Sequence, residues 1–304
     1  MLKQFKPLSL AVMILAASLA VNAQNTPNSL VVQADAPVNL PPDLFDNTRL
    51  IPTQVFDNLF AIGSRSVVAW ALKTSEGIIL IDSMWDNEDA QTIIDGMKQL
   101  GLNPAEIKLN IITHGHGDHY GGAQYIKDQF NSKILMSARD FRYMNEETEG
   151  ANGPRSPKCT VDEFVEDGQE VTLGDTTVTV VSTPGHTPGG ISLIYPVKQD
   201  GQTYMAAIWG GTGLPAALAD KIAYRNSIDH FAQFTTAAHV TVETTAHLFA
   251  ENGYQKLEDA RSRAVGEPNP FYTGEAGFAA YLDSLRQTVD DAIYTQSTQL
   301  ETNE

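Results

Sequence analysis

The stretch "NIITHGHGDHYGG", residues 110–122, puts three of the chain's seven histidines and an aspartate into six consecutive positions, with glycine at 115 and 117. Folding alone gives no reason for this, because His and Asp are poor core formers and compete for solvation. The cluster sits between an apolar strand, "KLNIIT" (108–113), and a helix expected to start near Gly122 with Ala123, Ile126 and Phe130 on its apolar face. At the end of a strand the backbone can turn sharply, and glycine removes the Cβ obstruction to doing so. A period of two then sends His114 and His116 to the same side, while Asp118 and His119 follow the turn and point elsewhere. One loop can therefore offer two ligands to one cation and two to a neighbouring cation. Neutral imidazole and carboxylate suit zinc, and a catalytic zinc keeps one coordination position for water. Each ion needs further ligands from distant sequence.

Outward from the cluster, short β-rich runs precede it: "LFAIG" (59–63), "VVAWAL" (67–72) and "GIILID" (77–82). A helix is predicted over 88–100, with Ile93, Ile94, Met97 and Leu100 at helical spacing, stopped by Gly101 and Pro104. After the cluster come strands at 176–183, 191–196 and 203–209, and helical stretches near 227–238 and 252–264 flanking "VTVET" (240–244). A last helix carries Phe278, Tyr281, Leu282, Leu285, Val289 and Ile293 on one stripe. Strands come first in each half and helices follow. That order favours an α/β fold of two mixed sheets packed face to face with helices outside, an αββα sandwich, over a doubly wound parallel sheet. Residues 146–170 read as a long polar insertion able to overhang a site.

Two later positions repeat the setting of the first cluster. "TPGHTPGG" (183–190) places His186 in a Gly/Pro turn after a strand, and His247 follows "VTVET". Sites collect at strand ends, so His247 is preferred over His230, inside a helical pattern, and His239, which precedes its strand. Asp82, closing "GIILID", is the best candidate for orienting a ligand histidine from behind, with a plain turn residue as the competing reading. Trp85 reads as core sooner than as pocket lining, and the single cysteine, Cys159, as a lone thiol on a loop.

Composition narrows the classes. Lys3 and Lys6, the apolar run Leu8–Val21 and the small-residue end Val21-Asn22-Ala23 give a signal peptide over 1–23. The expectation is a periplasmic or secreted mature protein with no membrane association, an irregular lead-in over 24–50 and one domain over 51–304. A net charge of −17 argues against nucleic acid as a partner and leaves a small-molecule substrate. With one cysteine no intrachain disulfide forms, so stability rests on the core.

These motifs together resemble a known family. "HGHGDH" is similar to the H-x-H-x-D-H signature of the metallo-β-lactamase superfamily, "GIILIDSMWD" to its glycine, strand and aspartate, and "TPGHTPGG" to the turn carrying its next histidine. The resemblance runs from about residue 53 to about 290 and implies an αββα sandwich with the site at the sheets' edge. Many members end the strand corresponding to "TYMAAIWGGTG" with a bridging aspartate, or in some β-lactamases a cysteine. Here Gly210, Gly211, Thr212 and Gly213 stand in that place, as in the third β-lactamase subclass. That resemblance implies two zinc ions per chain, one held by His114, His116 and His186 and one by Asp118, His119 and His247, with Asp118 also orienting the nucleophilic water. It implies β-lactam hydrolysis, the alternative being another ester, lactone, thioester or sulfate ester. One departure is clear: the subclass has serines near that strand end to hold the substrate carboxylate, and this chain has glycines and Thr212 and no well-placed lysine.

Overall fold

The computed structural model describes residues 41–146 and 156–301. The leader expected at 1–23 and most of the lead-in expected at 24–50 lie outside those residues. Twelve strands among the described residues form two sheets. The seven-stranded sheet runs in chain order: β1 (Thr53–Phe56), β2 (Leu59–Gly63), β3 (Val68–Thr74), β4 (Gly77–Ile81), β5 (Ile107–Ile111), β6 (Lys133–Ser137) and β7 (Glu163–Val165). Its first four strands pair antiparallel and β4 to β7 pair parallel. The five-stranded sheet has the order β12 (Val240–Thr244), β11 (Gln202–Ile208), β10 (Ile191–Gln199), β9 (Thr176–Ser182), β8 (Glu170–Leu173). Only β11 and β12 pair parallel there.

Alternation along the strands explains the sandwich. On β10, Leu193, Tyr195 and Val197 join Trp70, Leu72, Ile79 and Ile81 of the other sheet in the central core, while Ile194 faces the opposite way. That outward face, with Val181 and Ala207, is covered by α5 (Leu218–Ala237) and α7 (Gly274–Glu301) through Tyr224, Ile228, Phe231, Phe278, Leu282 and Val289. Across the molecule, α1 (Asn87–Gln99), α3 (Ala123–Phe130) and α4 (Ala138–Glu146) flank the larger sheet, α2 (Gly117–Tyr120) is the single turn that carries Asp118 and His119, and α6 (Gly253–Ser262) lies against β1. The Asp86 side chain caps α1, accepting from the N–H groups of Glu88 and Asp89. Gly101, with φ of 74°, follows its end.

The expected two-sheet α/β sandwich is what the chain forms, but some elements differ. β1, β6, β7 and β8 carry no strong periodic signal, and neither they nor the short amphipathic α4 are among the elements predicted above. Residues 163–165 and 170–173 are strands in two different sheets, so this part of the supposed overhanging insertion is framework. Val165 and Val171 are buried, which is what recruits these short polar segments. Residues 147–155 lie outside the described residues. Helix α5 starts at Leu218 rather than near 227, because its buried stripe begins with Tyr224 and extends the helix toward the Pro215 turn.

Register decides where loops gather. Ile81 pairs with Ile111 and Ile111 with Leu135, so the carboxyl ends of β4, β5 and β6 lie level. Ile208 pairs with Thr244 and Ser182 with Ile191, which brings the β9–β10 turn and the ends of β11 and β12 to one edge. The Ile191 N–H donates to the Thr113 carbonyl at 2.9 Å, joining the two edges. No helix among the described residues is long and apolar enough to cross a membrane.

Candidate metal centre

Both sequence clusters and the late histidine meet at that shared edge. His114, His116 and His186 form one group and Asp118, His119 and His247 a second, the ligand atoms of each lying within 4.8 Å of one another. In the first group ring centroids are 4.9 Å (His114–His116), 4.8 Å (His114–His186) and 4.6 Å (His116–His186) apart. The groups adjoin, with the His114 and His119 rings 3.8 Å apart. All six residues read from the sequence as candidate ligands are thus brought together. His230 pairs with Asp167 and His239 with Glu275, both outside the two groups, in keeping with structural roles.

Each imidazole is fixed from behind. The His119 Nδ1 lies 2.8 Å from Asp82 Oδ2. His247 Nδ1–H donates to the Ser66 carbonyl and His186 Nδ1–H to the Gly213 carbonyl, each at 2.8 Å. His114 Nδ1 faces the Thr113 hydroxyl at 3.2 Å, and that hydroxyl donates to Asp82 at 2.9 Å. His116 Nε2 faces the Tyr143 hydroxyl at 3.5 Å. Fixing one ring nitrogen chooses the tautomer and aims the other nitrogen's lone pair into the site. Asp82 does this from a left-handed turn (φ 61°), also accepting from the Thr113 N–H at 2.8 Å. Its positioning reading therefore has a concrete geometry. Trp85 is buried, and its indole N–H donates to the Ser66 hydroxyl at 2.8 Å, so it is core that braces the carbonyl holding His247.

The donor set fits cations. His114 Nε2 is buried with no hydrogen-bond partner, an orphan that a metal would satisfy. Burial above all, and then the neighbouring imidazoles, push His114 well below the ordinary histidine range. Burial likewise holds His116 at about 4, helped by His119 and His247, and His186 at about 3, helped by His116. The first group therefore presents neutral imidazoles with lone pairs converging and no proton between them. The second group differs. Burial opposes charge on His119, but Asp118 and Asp82 outweigh it and lift the ring to about 10. Burial raises the Asp118 carboxyl, yet His119 and then His247 outweigh it and hold it below its ordinary range. His119 Nε2 lies 3.3 Å from His247 Nε2 and 3.4 Å from Asp118 Oδ2. Three acceptors converge on one point that demands positive charge, which a proton meets for one neighbour and a cation meets for all three.

The glycines after β11 have a steric reason. A Cβ on Gly211 would stand 2.5 Å from the His186 Cβ, and Gly213 takes φ of 99° to turn its carbonyl to the same ring. Gly115 is needed for close approach, since a Cβ there would meet the Tyr143 ring at 2.9 Å. Sequence reading missed the carbonyls of Ser66 and Gly213, the Thr113 hydroxyl and Asp140. Of these only Thr113, adjacent to the cluster, carried a local signal. Cys159 lies on a loop as expected but is buried against Met144, and burial raises its thiol to about 12.

Comparison with known proteins agrees with this architecture. A model of the metallo-beta-lactamase superfamily matches residues 62–200. The chain is 26% identical over 133 residues to a probable metallo-hydrolase, YybB, of Bacillus subtilis, covering 44% of this chain and 58% of that one. It is 28% identical over 146 residues to the hydroxyacylglutathione hydrolase GloC of Haemophilus influenzae, covering 43% and 67%. The chain thus spans little more than half the length of the first of these curated relatives. Among solved structures, BJP-1, a subclass B3 metallo-beta-lactamase of Bradyrhizobium japonicum, superposes with a TM-score of 0.71 at 27% identity, covering 84% of this chain and 97% of that one. Sandwich, edge site and paired His/Asp groups agree with that match: residues 62–200 carry the metallo-β-lactamase superfamily pattern, and the chain folds as the superposed β-lactamase does.

Proposed function

We propose that the protein is an exported, dizinc hydrolase that opens β-lactam rings. The observation that carries this reading is the make-up of the two ligand groups. Three histidines stand beside Asp118, His119 and His247, and the end of β11 offers neither carboxylate nor thiol. Likeness to BJP-1 over 84% of the chain supports it, and the leader-like residues 1–23 support export to the periplasm or beyond.

His114, His116 and His186 would hold the first ion and Asp118, His119 and His247 the second. Zinc ions bound there would supply Lewis acidity toward a substrate carbonyl and would lower the pKa of water toward neutrality. The chain's own contribution is positional. Asp82 and the carbonyls of Ser66 and Gly213 keep protons on the outer nitrogens of His119, His247 and His186. Asp118, held ionised by its imidazole neighbours, is placed to align the attacking water and accept a hydrogen bond from it. Hydrolysis joins water oxygen to the carbonyl carbon, breaks the carbon–nitrogen bond and leaves a proton on nitrogen. No covalent acyl-enzyme is needed.

The test is turnover of a chromogenic cephalosporin by purified protein, its loss on chelation and its return with zinc. No turnover by zinc-loaded protein refutes the proposal. A second reading, thioester hydrolysis, is favoured by the relationship to GloC and by the lack of serines after β11 to hold a β-lactam carboxylate. A hydroxyacylglutathione thioester assayed with the same preparation separates the two.

A further inference from the structure

Asp140 opens helix α4, away from both ligand groups in sequence, and its side chain is fully buried. Its Oδ2 accepts the Gly115 N–H at 2.8 Å and the Thr187 hydroxyl at 2.6 Å, and its Oδ1 accepts the Gly189 N–H at 2.6 Å. Its own N–H donates to the Ser137 hydroxyl at 3.1 Å, which anchors the residue to the end of β6. Gly115 lies between His114 and His116, and Thr187 and Gly189 lie just after His186. The two loops gripped by this carboxylate belong to different sheets: one extends β5 and the other joins β9 to β10. A backbone bond from Ile191 to Thr113 ties the loops at their base. Asp140 ties them where they carry the ligands.

The local packing is built around that grip. A Cβ on Gly189 would stand 2.5 Å from the Asp140 nitrogen, so the turn approaches α4 as closely as only glycine allows. A buried carboxylate is costly unless donors satisfy it, and three short donors do so here. The histidines of the second group are held instead by Asp82 and the Ser66 carbonyl.

We infer that Asp140 is a positioning residue for the first ion alone: its carboxylate sets the spacing of His114 and His116 against His186 without touching the metal. The inference rests on reading those three histidines as one ion's ligands. It also implies that the two ions respond separately to substitution of a single outer residue.

The experiment measures cobalt affinity, by visible absorption titration, in two backgrounds that each leave one group intact. His247→Ala keeps the first group and His186→Ala keeps the second. Adding Asp140→Asn offers one acceptor oxygen in place of two and turns an amide N–H₂ toward a donor. It should weaken cobalt binding about 10–100-fold in the His247→Ala background and leave it within about twofold in the His186→Ala background. Thr187→Val, which removes one donor and keeps the carboxylate, should give a smaller loss in the same background, and Thr187→Ser should restore it. The Thr187 pair decides the matter if Asp140→Asn does not fold. Equal losses in both backgrounds, or none in the first, overturn the inference. The unsubstituted protein is titrated alongside. If it takes up two ions while Asp140 and Thr187 prove indifferent, only this inference falls; if it takes up none, the hydrolase reading and this inference fall together.

Discussion

Replacing Gly211 by alanine tests whether the glycine-rich end of β11 is a seat for His186. The new methyl group would stand 2.5 Å from the His186 Cβ and 3.0 Å from its Cγ. Carbon atoms in contact settle at about 3.5–4.0 Å, so the two must separate by roughly 1 Å. The loop cannot easily supply that movement. The Gly211 carbonyl accepts from the Trp209 indole at 2.8 Å and the Tyr224 hydroxyl at 3.1 Å, and the Gly210 N–H donates to the Ser192 hydroxyl at 3.0 Å. Trp209 and Tyr224 are themselves locked in the core beneath α5. His186 is held behind its ring by the single bond to Gly213 and is the part that yields. A displacement of about 1 Å in a reacting constellation costs up to roughly 100-fold in rate, about 2.7 kcal/mol of transition-state stabilisation. Overpacking should also lower folding stability by about 1–3 kcal/mol. The assay is kcat/KM on a chromogenic cephalosporin at saturating zinc, with zinc content and a thermal melt on the same sample. Gly101→Ala is the control. It too places a side chain at positive φ (74°), but in open space, and should cost stability of the order of 1 kcal/mol without changing kcat/KM. If zinc-loaded Gly211→Ala keeps kcat/KM within about threefold of the parent, the steric argument for the absent side chains after β11 is wrong.

Three further outcomes follow from the same geometry. Asp82→Asn removes the charged acceptor behind His119 and, through Thr113, the support behind His114; metal affinity measured by competition with a chromogenic chelator should fall about 10–100-fold. His119, raised to about 10 by Asp118 and Asp82 after burial is overcome, carries a proton in the metal-free protein. Its stabilising contribution is fully present below the ordinary value of 6.5 and is lost as pH rises toward 10, whereas metal affinity rises over that same window. Calorimetry in buffers of different ionisation enthalpy should detect at least one proton released per chain at pH 7, that of His119 in addition to any given up by metal-activated water; no release would show that His119 is already neutral. Cys159, buried and raised to about 12, should resist thiol reagents in the native protein and react only in denaturant; rapid native labelling would contradict the buried placement.

What the sequence disclosed and what it withheld divide along a physical line. The ligand-bearing residues were legible because each follows the end of an apolar strand with a side chain that no core would choose, and because strand ends are where backbone can present such groups. The sandwich was legible because strands precede helices in each half, and alternation on segments such as β10 fixes which face is core. β7 and β8 were hidden because a three- or four-residue strand holding one buried valine carries almost no period, and its pairing energy comes from neighbours distant in sequence. The residues that aim the ligands were hidden for a related reason. Ser66 and Gly213 act through backbone carbonyls, which no side-chain pattern encodes, and Asp140 sits on an ordinary amphipathic helix turn. Its role exists only once β6 lies level with β5 and the β9–β10 turn folds over the same edge. Chemistry that depends on residue type can therefore be read locally, whereas chemistry that depends on holding two sheets in register at one edge belongs to the assembled fold. In this protein the separation between the two metal groups is a property of the second kind, so the residues controlling it are to be sought behind the ligands and across the sheets.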